Sequence, residues 1–477
     1  MSIRRSVASV AGLVALALTA STLGSGVASA APAPSRVAAV TAPAAKTAAV
    51  KAARYPGQPP RNYVFPNGNY FTFPNAAKGD RLAIRNRILM TIQGVWGGPR
   101  DANGLPLATN GTIRIATWSF EDMGIAKALV AAHKRGVSVQ VMAAKKRNKG
   151  GRPWKLLVKN LGSNYYKNGV AGSSDKVSFA RACRGACRGH GGTPHSKYML
   201  FDNVGYAHVR HVVVSTSANL TSFAVSGQWN EAQTFTSDTM WSQFMTVFRE
   251  TRLGIPQSQP YRRYVTGNTA SMFFPRPSTS PAGDPVMQAL NPTRCLGSTT
   301  GGSTRTKIRI IQYAIYDPRG VWLSKKLRAL WNAGCDVAII YTLATRPVLQ
   351  ILRNGSGRGP IPMKQSVITN SHREIVKYNH SKWVTIAGNW GPSTASFVTF
   401  AGSANWSNAA FNNDEQMQQT SGLAAARAHL INFNRTWAQG SSHSPGYGVK
   451  PKEARYIPQG NSIPWGKGAF KYLNPNG

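Results

Sequence analysis

The stretches His195-Ser196-Lys197 and His380-Ser381-Lys382 each set an imidazole two residues from an ammonium. Each then runs into an apolar segment, Tyr198–Phe201 and Trp383–Ala387. An imidazole can attack phosphorus as a nucleophile, and a second, protonated imidazole can donate to the leaving oxygen. Two lysine ammoniums can neutralise the oxygens of a phosphoryl group held between them. The repeated triplet thus supplies the parts of a double displacement at phosphorus, and that chemistry asks for no metal ion and no cofactor.

A lone His-x-Lys means little, because a chain this size contains about one by chance. The surroundings carry the signal. Each triplet is followed by Ser-Ala-Asn (Ser217-Ala218-Asn219 and Ser403-Ala404-Asn405), and then by Glu231 and Glu415, 12 and 10 residues further on. From His195 to His380 is 185 residues, from Asn219 to Asn405 186, and from Glu231 to Glu415 184. The amides of Asn219 and Asn405 are expected beside Lys197 and Lys382 as phosphate ligands, with Ser217 and Ser403 in support. Each histidine also needs one fixed tautomer, which a carboxylate accepting from the ring N–H imposes. Glu231 and Glu415 are the expected acceptors, and with only 16 acidic residues in the chain, two at matching places carry weight.

The elements that must position these groups are also written twice. Residues 113–142 read as strand, amphipathic helix, glycine turn and strand, and residues 308–340 repeat that order with Gly334 in the place of Gly136. In each half the His-Ser-Lys strand is followed by another strand (211–219 and 396–405) and a closing helix near 241–251 and 423–437. The expected fold is α/β: two homologous α-β-α sandwich halves, at 59–253 and 307–477, packed around one site at their interface. A Pro/Gly/Ser/Thr-rich connector with some local structure spans 254–306. Ligand sites in α/β proteins favour such seams and strand ends.

The pattern H-x-K-x4-D followed by G/S-S-x-N, present twice, resembles the phospholipase D superfamily with its duplicated HKD motifs. His195, Lys197 and Asp202 match the first motif in full. His380 and Lys382 match the second, but Ala387 stands where its Asp is expected. The resemblance covers roughly residues 65–440 and implies a phosphohistidine intermediate that water or another alcohol resolves. By that analogy His195 is the nucleophile and His380 the acid and then the base. Asp202 is a support, so activity is expected to survive Ala387.

Charge and export bound the substrate. Fifty-seven Lys and Arg against 16 Asp and Glu leave +41, a field that attracts polyanions. A short basic start, an apolar run to about Leu23 and Ala28-Ser29-Ala30 predict a signal peptide cleaved after Ala30, then a flexible Ala/Pro/Lys-rich leader over 31–58. A secreted monomer is expected, stapled by Cys183–Cys187 and Cys295–Cys335, pairings favoured by proximity in sequence. The first-ranked substrate is a phosphatidylcholine-like phospholipid, hydrolysed or transphosphatidylated at an anionic membrane surface. The second is nucleic acid, cut by a metal-independent endonuclease. The third reading is a non-catalytic basic binding protein on the same fold.

Overall fold

The computed structural model describes residues 65–164, 175–276, 279–300, 302–439, 467–471 and 473. The expected signal peptide and leader lie outside these residues. The first half lays down β1 (Gly68–Phe71), β2 (Thr112–Ala116), β3 (Ser138–Ala144), β4 (Phe179–Cys183), β5 (Tyr198–Asp202), β6 (Val212–Thr216), β7 (Gln228–Trp229) and β8 (Glu231–Thr236). Its helices are α1 (Lys78–Gly94), α2 (Met123–Lys134), α3 (Lys145–Asn148), α4 (Arg152–Leu161), α5 (Ser222–Ser226) and α6 (Asp238–Leu253). The rest supplies β9 (Arg262–Thr266), β10 (Thr269–Phe273), β11 (Lys307–Ile315), β12 (Asp336–Ala344), β13 (Met363–Gln365), β14 (Val367–Thr369), β15 (Ile375–Asn379), β16 (Lys382–Trp390), β17 (Ser393–Gly402) and β18 (Gln416–Ser421). With them come α7 (Pro285–Leu290), α8 (Arg319–Asn332), α9 (Arg346–Leu352), α10 (Ala409–Asn412) and α11 (Leu423–Ala438).

Two mixed sheets result, and their orders match strand for strand. The first runs β1-β8-β6-β5-β2-β3-β4, the second β10-β18-β17-β16-β11-β12-β13 with β9 added beyond β10. In each, a parallel β-α-β unit (β2-α2-β3, β11-α8-β12) lies beside the antiparallel strand that follows His-Ser-Lys, β5 or β16. The unit turns back at Gly136 and Gly334, with φ of 97° and 103°, a backbone region that L side chains resist. Apolar residues then close a separate core in each half, around Ile113, Val139 and Leu129 in one and Ile308, Ile339 and Leu327 in the other. Residues 262–273, inside the expected connector, form β9 and β10, and β10 holds in the second sheet the place that β1 holds in the first.

A third, small sheet crosses the seam. β7 of the first half pairs in parallel with β15 of the second, which also carries β14. The terminal helices cross too. Phe244 on α6 meets Phe273 of β10 at 4.7 Å between ring centroids, and His429 on α11 meets Phe71 of β1 at 5.2 Å. Both disulfides form as expected, Cys183–Cys187 and Cys295–Cys335, with Cα separations of 5.4 and 4.4 Å. They are compatible with an extracellular protein. No helix among the described residues is long and apolar enough to cross a membrane.

Candidate active site

His195 and His380 lie three and two residues before the core strands β5 and β16, and both are fully buried. The backbone around each is held by the opposite half. His195 N–H donates to the Asp414 carbonyl at 2.9 Å, and His380 N–H to the Trp229 carbonyl at 2.8 Å. Lys197 and Lys382 turn back alike, each Nζ donating to the carbonyl of its own histidine at 2.6 and 2.5 Å. An aromatic wall stands edge-on to each imidazole, Trp118 at 5.8 Å from His195 and Tyr313 at 5.0 Å from His380.

The ring partners differ. His195 Nδ1 lies 2.7 Å from Glu415 Oε2 and 2.8 Å from Oε1. Ser403 Oγ donates to the same carboxylate at 2.5 Å and Asn413 Nδ2 at 3.2 Å. Burial pushes His195 below its ordinary pKa, which Glu415 opposes and Lys197 reinforces. Burial alone would raise Glu415, but His195 and Lys197 beside it hold it below the usual carboxylate range. Both directions describe one state: a neutral imidazole whose Nδ1–H donates to an ionised carboxylate, which leaves Nε2 as the basic nitrogen.

His380 turns its Nδ1 toward an amide. Its Nδ1 lies 3.0 Å from Asn230 Oδ1, not against Glu231 as the spacing suggested. The amide is oriented by its own bonds, Nδ2 donating to the Ala224 carbonyl at 3.1 Å while Oδ1 accepts from Ser217 Oγ at 3.0 Å. Glu231 Oε1 instead accepts from the Lys382 backbone N–H at 3.3 Å. In the other half that task falls to Gln416, whose Oε1 accepts from Lys197 N–H and whose Nε2 donates to the Lys197 carbonyl, both at 2.9 Å. Asn230 therefore matches Glu415 and Glu231 matches Gln416, each pair 185 residues apart like the histidines. The register agrees, since Glu231 lies opposite Phe71 on β1 and Gln416 opposite Phe273 on β10. A slip of one residue exchanges strand faces, so the 184-residue spacing paired residues that point differently.

Burial raises Glu231 above the ordinary carboxylate range and lowers Lys382, although each opposes the shift in the other. Glu231 Oε2 has no hydrogen-bond partner among the described residues. Asn219 and Asn405 are buried with the histidines, and Asn405 is anchored through its carbonyl by Arg319 Nη1 at 2.9 Å. Asp202 stands at the far end of β5, roughly 16 Å of strand beyond Lys197 at the usual rise. There it accepts from Arg210 Nε at 2.6 Å and shapes a turn. Ala387 occupies the corresponding part of β16, so the missing Asp leaves the buried groups untouched.

Residues 107–252 match the family model described as cardiolipin synthase, PLD-like domain. The phosphatidylserine synthase of Haemophilus influenzae Rd KW20 superposes with a TM-score of 0.50 over 83% of this chain and 92% of its own, at 12% identity. Residues 107–252 thus carry a PLD-like domain. Polyphosphate kinase from Porphyromonas gingivalis aligns over 78% of this phospholipase D-like chain at 11% identity and a TM-score of 0.48. The chain spans only 50% of that kinase. Nuc of Salmonella typhimurium, a phospholipase D family member, aligns with 38% of the chain at 21% identity, covering 91% of its own length with a TM-score of 0.24. No curated protein sequence matches. Sequence spacing missed Asn230, Gln416 and Asp414, although a strict 185-residue offset applied to Asn230-Glu231 and Glu415-Gln416 finds the first two.

Proposed function

We propose that the chain is a phosphodiesterase of the phospholipase D type that works through a phosphohistidine. The observation that carries this reading is the buried His195–Glu415 pair at 2.7 Å, which directs one basic imidazole nitrogen away from its carboxylate. His195 Nε2 attacks phosphorus, the bond to the leaving alcohol oxygen breaks, and His380 supplies the proton that oxygen needs. His380, now neutral, takes a proton from water as the water attacks the phosphohistidine, and His195 is released. Lys197, Lys382, Asn219 and Asn405 are assigned to the phosphoryl oxygens.

The finer reading is a secreted enzyme that hydrolyses or transphosphatidylates phosphatidylcholine-like lipids. It draws on the lipid-synthesising proteins among the similar folds and on the sequence of the N-terminus. The second reading is the same chemistry on nucleic acid, favoured by a run of cations beside Trp118 (Lys145 to Lys159). One paired assay in EDTA separates them: phosphatidylcholine vesicles in one vessel, plasmid DNA in the other, with His195→Ala as control. Choline release without nicking supports the lipid enzyme, and nicking without choline release replaces it with the nuclease. Silence in both overturns the phosphodiesterase reading.

A further inference from the structure

Most arginines of the two cores are held in place. Arg114, Arg188 and Arg319 are buried and bonded to carbonyls or carboxylates. The segment after β3 is built differently. Between residues 145 and 159 lie Lys145, Lys146, Arg147, Lys149, Arg152, Lys155 and Lys159, and no Asp or Glu occurs between Asp122 and Asp175. All seven are exposed, and none takes part in an ion pair among the described residues. On α4 the cations fall at i, i+3 and i+7 (Arg152, Lys155, Lys159), one face of the helix over roughly 10 Å, while Pro153, Trp154 and Leu157 face the core.

This cationic segment is clamped to the site. Asn148, itself buried, accepts from Phe120 N–H at 2.7 Å and donates to the carbonyls of Trp118 and Ala144 at 2.9 and 2.7 Å. The Arg147 guanidinium lies 4.6 Å over the Trp118 ring, and that ring is the wall against His195. From there Lys145, Lys149, Lys155, Lys159 and Arg181 line one recess of about 580 Å³ with Trp154 in its wall. Five cations around a single recess exceed what one lipid headgroup phosphate can neutralise. A bilayer surface, being flat, does not enter a recess of that kind. A flexible chain of phosphates does both, whereas a duplex is too wide for it.

We propose that the α3–α4 face is a binding surface for single-stranded nucleic acid, running from the recess past Arg147 to the edge of the histidine site. The surface goes beyond the phosphodiesterase reading, because it binds a strand whether or not that strand is cut. The test is binding alone, in the full-length His195→Ala protein, so turnover does not enter. A fluorescein-labelled twenty-nucleotide oligo(dT) is titrated by anisotropy over a range of salt. Combined K149E, K155E and K159E should weaken binding about tenfold or more, and the slope of log affinity against log salt should shrink by about 2 for three lost phosphate contacts. A control with the same change in net charge, combined K78E, K325E and R427E, should leave the slope nearly unchanged. Equal weakening by both triple variants would mean general charge attraction and overturn the proposal. So would loss of binding to phosphatidylglycerol vesicles with oligo(dT) binding intact, which would make the face a membrane surface.

Discussion

His195 rests its Nδ1 on a carboxylate and His380 rests the same atom on an amide, although the frames around them superpose element for element. Each histidine precedes a core strand, each lysine folds back on its own histidine's carbonyl, and each imidazole has an aromatic wall. The Nδ1 contact differs, Glu415 for one and Asn230 for the other. A carboxylate makes an imidazole a better nucleophile by stabilising the cation that forms as it attacks. An amide oxygen still fixes the tautomer but stabilises that cation less. The difference matches a division of labour in which the first half attacks and the second transfers protons.

The sharpest way to break this comparison is to remove each imidazole in turn and vary the leaving group. His195→Ala should lose turnover on every phosphodiester, by roughly 10⁴-fold or more, and should carry no phosphate after quenching. His380→Ala should lose roughly 10²–10⁴-fold on an alkyl phosphodiester but recover much of it on a p-nitrophenyl ester, whose leaving group needs no proton. Equal losses on both esters, or covalent phosphate on His380 in the parent protein, would reverse the assignment.

Glu415→Gln makes the first half copy the second. Turnover should fall roughly 10²-fold or more, because the imidazolium formed on attack loses its counter-charge. His195 must be neutral to attack, and Glu415 is what raises its pKa against burial. Without that carboxylate the ring stays neutral to lower pH, so the acid limb of the rate profile moves down while the plateau drops. A limb that stays in place would mean that another group sets it.

The reverse copy, Asn230→Asp, should act more gently. Placing a carboxylate against His380 Nδ1 stabilises its protonated ring, so the proton is kept to higher pH and the alkaline limb moves up. The plateau should change by less than about tenfold, since the tautomer is unchanged. The readout is the profile itself. A fall in turnover with both limbs fixed would make Asn230 a packing residue only.

Much of this frame is readable in the letters. The β-α-β units at 113–142 and 308–340 are periodic and long, and the His-Ser-Lys and Ser-Ala-Asn segments sit on apolar strands that advertise themselves. Asn230 is not readable in that way. A search for acceptors follows carboxylates, and Glu231, one residue on, hid the amide that faces the ring. β9 and β10 were similarly concealed, because short strands among Pro, Gly and Thr gain their identity only from the edge of the sheet they join. Gln416 and Asp414 act across the seam, between residues some 220 apart in the chain, and no local pattern reports such contacts.

The last difference between the halves lies behind the site, where α6 offers Phe244 and α11 offers His429 at the same 185-residue offset. Phe244 packs against Tyr198 and Phe273, and His429 against Trp383 and Phe71, so an imidazole occupies a place that the other half gives to a phenyl ring. Burial drives His429 down to about 4 from its ordinary 6.5, slightly offset by the Ala425 carbonyl that its Nδ1 contacts at 2.9 Å. Between those two values the unfolded chain binds a proton on this ring that the folded chain refuses. Stability contributed by the neutral ring is therefore complete above about pH 6.5 and lost as pH falls through about 4, to a total of roughly 3 kcal/mol. His429→Phe copies the first half and has nothing to titrate. Urea unfolding at pH 7 and pH 4 should show the parent losing stability over that interval and the variant losing about 3 kcal/mol less. Identical losses in the two proteins would place the acid sensitivity elsewhere in the seam.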